Sequence, residues 1–282
     1  RRALTRGLTN PVGRKELVDA AKQSATEILE YRGFLARELT TIWATRGEDY
    51  FLRERPEDIA WHTEAISDHY SDQDALVLVK QATASPIANA TQIFVHSKRQ
   101  QNTFARICTE LETLDFSIHD ARIYSDTEGE TLDTFFVLRS DGSPLDNHPD
   151  TFLEIKKAIE LSLKQPVLRQ ISKHTPRTIK AFQIPTEIRI FHELADNLIT
   201  LEIITADRPG LLARIGQILC GFNITVQGAK IQTLGERVED IFFLSDELGN
   251  GAPLSIQLTE KLELELHRQL HNNLEKTGGD ST

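Results

Sequence analysis

One irregularity that occurs twice constrains this chain more than any other feature. The run Phe104-Ala105-Arg106-Ile107 returns as Leu212-Ala213-Arg214-Ile215, an offset of 108 residues (214 − 106). The same offset carries Phe116, Ile118, Ala121 and Ile123 onto Ile224, Val226, Ala229 and Ile231. In both copies the apolar positions follow a period of two, slip by one residue at Asp120 or Gly228, and then resume. A regular strand cannot slip and keep one face buried, whereas a β-bulge permits it. A shared slip is stronger evidence of duplication than shared hydrophobicity, so the sequence predicts two copies of one unit. Thr134-Phe135-Phe136 and Ile241-Phe242-Phe243 align one residue tighter, which shortens the preceding turn in the second copy.

The second copy is the easier to read. Ile199, Leu201 and Ile203 alternate with Thr200 and Glu202, the pattern of a strand with one buried face. Asp207-Arg208-Pro209-Gly210 ends it, with proline fixing φ and glycine free to take a left-handed turn. Leu211, Leu212, Ile215, Ile218, Leu219 and Phe222 then follow helical spacing, and Gly221 suits the helix exit before a strand from Asn223. A turn opening directly onto a helix leaves free N–H groups, a favourable seat for a carboxylate. Through Asp207-Arg208-Pro209-Gly210-Leu211-Leu212 and the later Gly221-Phe222-Asn223-Ile224, this stretch resembles the ACT domain, a small regulatory module that binds amino acids. The resemblance implies a ferredoxin-like fold.

Composition narrows the classes. The chain has 282 residues and a formal net charge of −10, with 39% hydrophobic and 26% charged residues, enough to bury two or three cores. The acidic balance argues against nucleic acid and against membrane surfaces as partners, and no apolar run is long enough to span a bilayer. Cys108 and Cys220 fall on apolar helix faces, as expected of reduced thiols in a cytosolic, cytoplasmic protein. The chain opens on Arg1 and contains no methionine, so we expect it to be a portion of something longer.

Residues 1–70 read as a helical segment. Glu16 to Tyr31 offers Leu17, Ala20, Ala21, Ala25, Ile28 and Leu29 on one face, and Phe34 to Ala44 offers Leu35, Leu39, Ile42 and Trp43. Pro56 suits the first turn of a third helix. The first repeat occupies residues 71–164, a proline-punctuated basic linker 165–180, and the second repeat 181–282. Each repeat ends in a helix, through Phe152, Ile155, Ile159 and Leu163 or through Leu258, Leu262, Leu266 and Leu270. An ordinary ACT domain closes with a last strand beside its first. Here each copy instead has a strand ahead of the first, at Leu76–Val79 and Glu187–Phe191, and we expect these to fill the edge position. The fold class is therefore α+β: a helical N-terminal segment, then two ferredoxin-like ACT domains of antiparallel strands with two helices each.

Further motifs sharpen the resemblance. They are Arg1-Arg2-Ala3-Leu4, Asp49 to Arg53, Pro56 to Thr63, Ser143-Pro144-Leu145, Pro185-Thr186-Glu187 and Gly235 to Asp240. Together they resemble the C-terminal part of the bifunctional uridylyltransferase/uridylyl-removing enzymes, with the tail of an HD domain preceding the ACT pair. That resemblance implies an intact enzyme that adds UMP to the PII nitrogen-signalling protein and removes it, with L-glutamine as allosteric ligand of the ACT pair. It also implies upstream Mg²⁺-dependent nucleotidyltransferase and HD hydrolase domains, so this chain itself is expected to carry no cofactor and no catalytic residues. Asp72-Gln73-Asp74 has carboxylate spacing for Mg²⁺ but lacks a preceding Gly-Ser turn, and reads as a solvated turn. His119-Asp120 spells the HD dipeptide on a strand rather than on packed helices, which suits a core or interface position. His267 and His271 share a helical face but no third ligand accompanies them. Two other classes compete: a structural or oligomerising ACT pair without ligand, and the regulatory module of an amino-acid biosynthetic enzyme.

In paired ACT domains, the resemblance implies, a ligand lies between the first turn of one copy and the second strand of the other. One site would join Asp207, Arg208, Gly210 and Leu211 to Phe116, Ser117 and Ile118. The other would join Arg99, Gln101 and Asn102 to Asn223, Ile224 and Thr225. At the repeat offset Arg99 replaces Asp207 and Asn102 replaces Gly210, so the two cannot be equivalent. Asp207 can accept from an α-ammonium while the helix N-terminus receives the α-carboxylate, and we expect the tighter site there.

Overall fold

The computed structural model describes residues 11–69, 75–83, 89–98, 102–165, 184–193, 198–246 and 254–271. Four helices come first: α1 (Pro11–Tyr31), α2 (Ala36–Ile42), α3 (Glu48–Arg53) and α4 (Pro56–Asp68). The proline at the start of α4 sits in the first turn, as expected. The buried stripe of α1 runs through Val18, Ala25 and Leu29, while Leu17 is 48% exposed. This corrects the stripe expected through Leu17 and Ala20, because Val18, Ala25 and Leu29 stand at i, i+7 and i+11 and share one face. Helix α3 has no counterpart in the sequence reading, since six residues are too few to display a helical period. Its acids Glu48 and Asp49 lie in the first turn and Arg53 in the last, the order the helix dipole favours.

The described residues group into two compact units. The first contains the four helices with residues 96–98 and 124–132. Its interior is aromatic: Tyr50 stands edge-on to Tyr124 at 5.5 Å, and Trp43 edge-on to Phe51 at 5.7 Å. The polar ends of Trp43 and Tyr50 are paired, as buried polar groups usually are. Trp43 Nε1 donates to Thr63 Oγ1 at 3.0 Å, and the Tyr50 hydroxyl shares a hydrogen bond with His62 Nδ1 at 3.0 Å. Thr45 Oγ1 donates to Asp126 Oδ2, and Asp126 Oδ1 accepts the N–H groups of Glu128 and Glu130, shaping a turn.

The second unit holds most of the duplicated part. The first copy runs β1 (Leu76–Gln81), β2 (Thr91–Lys98), α5 (Thr103–Thr113), β3 (Phe116–Ser125), β4 (Glu130–Arg139) and α6 (Pro149–Lys164). The second runs β5 (Glu187–Glu193), β6 (Leu198–Ala206), α7 (Leu211–Gly221), β7 (Ile224–Leu234), β8 (Arg237–Asp246) and α8 (Ile256–His271). The strands form one eight-stranded sheet in the order β1-β2-β4-β3-β7-β8-β6-β5. The preceding strands β1 and β5 take the edges, as the sequence predicts, and β5 pairs antiparallel with β6 from Glu187↔Ile204 to Glu193↔Leu198. The two halves meet through β3 and β7. The proposed linker 165–180 and the turn at Ala195-Asp196-Asn197 fall largely or wholly outside the described residues, as does Asp72-Gln73-Asp74.

The copies agree in detail. Helices α5 and α7 each follow a left-handed residue, Asn102 at φ 66° and Gly210 at φ 72°. Each is followed by another, Asp115 at φ 62° and Asn223 at φ 54°. The loss of glycine at Asn102 therefore leaves the backbone turn intact, because asparagine tolerates this region better than most residues. β3 and β7 are buried at the same first, sixth and eighth positions, and the β7–β8 register shifts between Val226 and Gly228. That shift is the bulge expected at Gly228.

The rows Ile199↔Leu244, Leu201↔Phe242 and Ile203↔Asp240 lie across β6 and β8, so a carboxylate continues an otherwise apolar stripe. Helices α5 and α7 pack on each other with Gly216 against Ala105, where a β-carbon on the glycine would approach the Ala105 Cα to 2.9 Å. Phe104 of one copy meets Phe242 of the other edge-on at 5.8 Å. Arg106 Nη1 donates to the carbonyl of Gln165 at 2.7 Å, satisfying the end of α6. In the second copy Arg208 Nη2 donates to the Leu270 carbonyl near the end of α8, also at 2.7 Å.

Candidate functional site

The Asp207–Leu211 turn opens onto a cavity of about 200 Å³. That is below the ~300–1,000 Å³ of pockets for drug-sized molecules and suits a small polar ligand. The second copy contributes the turn, the start of α7, and Ile231, Thr233, Val238 and Asp240 from its strands. The first copy contributes Cys108 and Glu112 from α5, Phe116, Ser117 and Ile118 from the start of β3, and Ser140. Asp207, Arg208, Gly210 and Leu211 thus line one cavity with Phe116, Ser117 and Ile118.

The turn is held from three directions. The Asp207 N–H donates to the Glu236 carbonyl at 2.8 Å, fixing it to the β7–β8 hairpin. The Arg214 N–H donates to the Gly210 carbonyl at 2.9 Å, the first bond of α7. Arg208 ties the turn to α8 through Leu270. With its guanidinium so engaged, Arg208 serves the frame of the cavity.

The charged lining is mostly acidic: Glu112, Asp207 and Asp240. Burial pushes the Asp207 carboxyl above its ordinary value, against the pull of His119 and of the Arg208 N–H. His119 in turn is held below the usual histidine value by burial, with Asp207 acting the other way. Its Nε2 has no hydrogen-bond partner among the described residues. The HD dipeptide histidine therefore lies within electrostatic reach of the turn of the other copy. Asp240 is 1% exposed and burial raises its carboxyl well above the carboxylate range, with Asp207 adding to the rise against the Gln232 N–H bond. Burial also raises the Cys108 thiol well above its ordinary value, keeping it protonated rather than nucleophilic.

The second expected site is only partly described. Arg99 and Gln101 lie outside the described residues. Asn102 caps the start of α5, Asn223 follows α7, and Ile224 and Thr225 begin β7, the places matching Gly210, Asp115, Phe116 and Ser117. His267 is half-buried on α8, and the side chain of His271 lies outside the description. Among the described residues, no three His, Cys, Asp or Glu side chains converge as metal ligands. No described helix is long and apolar enough to cross a membrane.

Sequence reasoning missed Glu112, Asp240, Cys108 and Ser140. Glu112 is one of several acids on an amphipathic helix, and nothing in its spacing marks it. Asp240 carried a signal: an acid at an inward position of a strand whose neighbours there are Val238 and Phe242.

The sequence is similar to that of known proteins. Residues 13–65 match the fifth domain of the uridylyltransferase GlnD. The bifunctional uridylyltransferase/uridylyl-removing enzyme of Stutzerimonas stutzeri is 40% identical over 285 aligned residues, covering 100% of this chain and 31% of that protein. Similarity to this family runs the length of the chain. The Azotobacter vinelandii enzyme is 41% identical over 95% of the chain and 30% of its own length, and that of Pseudomonas syringae pv. tomato 38% over 99% and 31%. The chain thus spans about a third of these bifunctional enzymes.

Proposed function

We propose that the chain is the glutamine-sensing regulatory region of a bifunctional uridylyltransferase/uridylyl-removing enzyme. The cavity at the Asp207 turn binds L-glutamine, and occupancy shifts the enzyme between adding UMP to PII and removing it. The observation that carries this reading is the cavity's shared wall: a turn and helix start from one copy face α5 and the first residues of β3 from the other. A ligand there touches both halves, so it can favour one arrangement of the pair, which is what allosteric coupling requires.

The chemistry suits a zwitterion. Asp207 and Glu112 present carboxylates to an α-ammonium, and the N–H groups opening α7 receive the α-carboxylate. Glutamine is abundant in cells, so millimolar affinity, about 4 kcal/mol, suffices for sensing. Coupling of ~1–3 kcal/mol changes the balance of two activities five-fold or more. Mg²⁺, the nucleotidyl transfer and the hydrolysis belong in this reading to other parts of the enzyme, and PII is met through them.

Calorimetric titration of the 282-residue chain with each standard amino acid tests the proposal. L-glutamine is expected to bind saturably and best. Preference for another amino acid contradicts the glutamine assignment, and no binding by any of them favours a purely structural pair.

A further inference from the structure

The two copies fasten their closing helices differently, and in the second copy the fastening belongs to the cavity. A helix leaves its last four carbonyls without partners inside itself, and a cation at that end also suits the dipole. In the first copy Arg106, from within α5, donates through Nη1 to the Gln165 carbonyl at 2.7 Å, just past the end of α6. Its counterpart at the repeat offset is Arg214, which in the second copy donates to the Gln269 side chain at 3.4 Å. The backbone carbonyl near the end of α8, that of Leu270, is taken instead by Arg208 Nη2 at 2.7 Å, a charge-assisted length. Arg208 belongs to the turn that lines the cavity. At the repeat offset its place is held by Gln100, which has no charge and a shorter side chain.

Resting on the reading of the cavity as an amino-acid site, we propose that Arg208 is a positioning residue that joins occupancy of the cavity to docking of the end of α8. The root of this side chain is fixed where the ligand acts. The Asp207 N–H before it is bound to the Glu236 carbonyl, its own carbonyl accepts the Leu211 N–H at 3.2 Å, and the ring of Pro209 locks the next φ. A ligand seated on Asp207 and on the opening of α7 grips both ends of this short segment, and so holds Arg208 where it meets Leu270. The far end of the link is equally defined. Leu262, Leu266 and Leu270 are 0%, 0% and 2% exposed, so α8 is docked through its apolar side and its last turn is tied at a backbone carbonyl. Burial and the nearby Arg214 both disfavour the charge on Arg208, so its guanidinium depends on that carbonyl for compensation. Loosening either end of the link penalises the other, and linkage makes the effect reciprocal: glutamine tightens the end of α8, and a docked α8 favours glutamine. The end of α6, fastened from within α5, stands outside this coupling.

Amide hydrogen exchange on the full chain tests this, without L-glutamine and at concentrations that saturate each variant. In wild type the Gln269 and Leu270 amides are expected to slow at least ~5-fold more than the Leu163 and Lys164 amides at the end of α6, the lower end of ordinary allosteric coupling. In Arg208→Gln that excess slowing should vanish. In Arg208→Lys, where a cation can still reach the carbonyl, part of it should return. A role confined to holding α8 would lower protection of the helix end with and without glutamine alike, and leave the effect of glutamine intact. Equal slowing of the two helix ends in wild type, or none at α8, overturns the proposal without needing any variant to fold. So does excess slowing that survives in Arg208→Gln. Failure of wild type to bind any amino acid overturns the underlying site instead, and is distinguished by the absence of a glutamine isotherm.

Discussion

The carboxylate of Glu112, on α5, stands over Gly210 at the head of α7: a β-carbon on Gly210 would lie 3.2 Å from Glu112 Oε1. The two residues come from different copies, and their approach closes one side of the cavity. Gly210 also holds φ 72°, where a side chain costs about 1–2 kcal/mol. Gly210→Val should therefore lose roughly that much stability in urea denaturation, yet weaken glutamine binding at least ~10-fold, because the valine displaces Glu112 and crowds the helix start. Unchanged affinity in the folded variant would count against the turn as the ligand seat.

Gly216→Ala separates packing from propensity. Alanine in a helix is favoured over glycine by about 1 kcal/mol, so an exposed site would gain stability. Here the added carbon meets the Ala105 Cα at 2.9 Å and Cβ at 3.0 Å, in the α5–α7 contact. Overpacking of about 1–3 kcal/mol should outweigh the propensity and leave the variant less stable. A rise in melting temperature would show that the helices separate more easily than this contact implies.

Asp240 should make stability depend on pH in a definite direction. Its folded value lies above the unfolded one, because burial disfavours the charge. Below about pH 4 the carboxyl is protonated in both states and imposes no penalty. As pH rises the unfolded chain ionises first, so folding takes up a proton and the native state loses ground until the folded carboxyl itself ionises. Asparagine cannot ionise. The stability advantage of Asp240→Asn over wild type should therefore grow as pH rises above about pH 4, as read by denaturant midpoints. A gap that stays constant or shrinks contradicts the assignment.

Much of the fold was legible because its markers are local and repeated. The slip at Gly228 reports a bulge directly, and Pro56 and Gly210 mark helix starts that backbone sterics enforce. The edge positions of β1 and β5 followed from counting strands in a duplicated unit. α3 was hidden because it is shorter than two turns, and the α1 stripe was misread by one residue because Leu17 and Val18 are both apolar. At the cavity, the turn and the start of β3 could be named from the motif. Glu112 could not, since its importance arises from the packing of α5 against α7, a long-range event that no spacing encodes. Asn102 keeps the left-handed turn that Gly210 marks in the other copy, because asparagine tolerates that backbone better than most residues.

The account rests on the Asp207 turn being the tighter glutamine site of the pair. Titrating glutamine into the wild-type chain, Asp207→Ala and Arg99→Ala by calorimetry tests this most directly. Loss of a charged hydrogen bond is worth ~1.5–3 kcal/mol, so Asp207→Ala should weaken binding at least ~10-fold while Arg99→Ala leaves the main isotherm in place. Abolition of binding by Arg99→Ala alone, with Asp207→Ala unchanged, would contradict it.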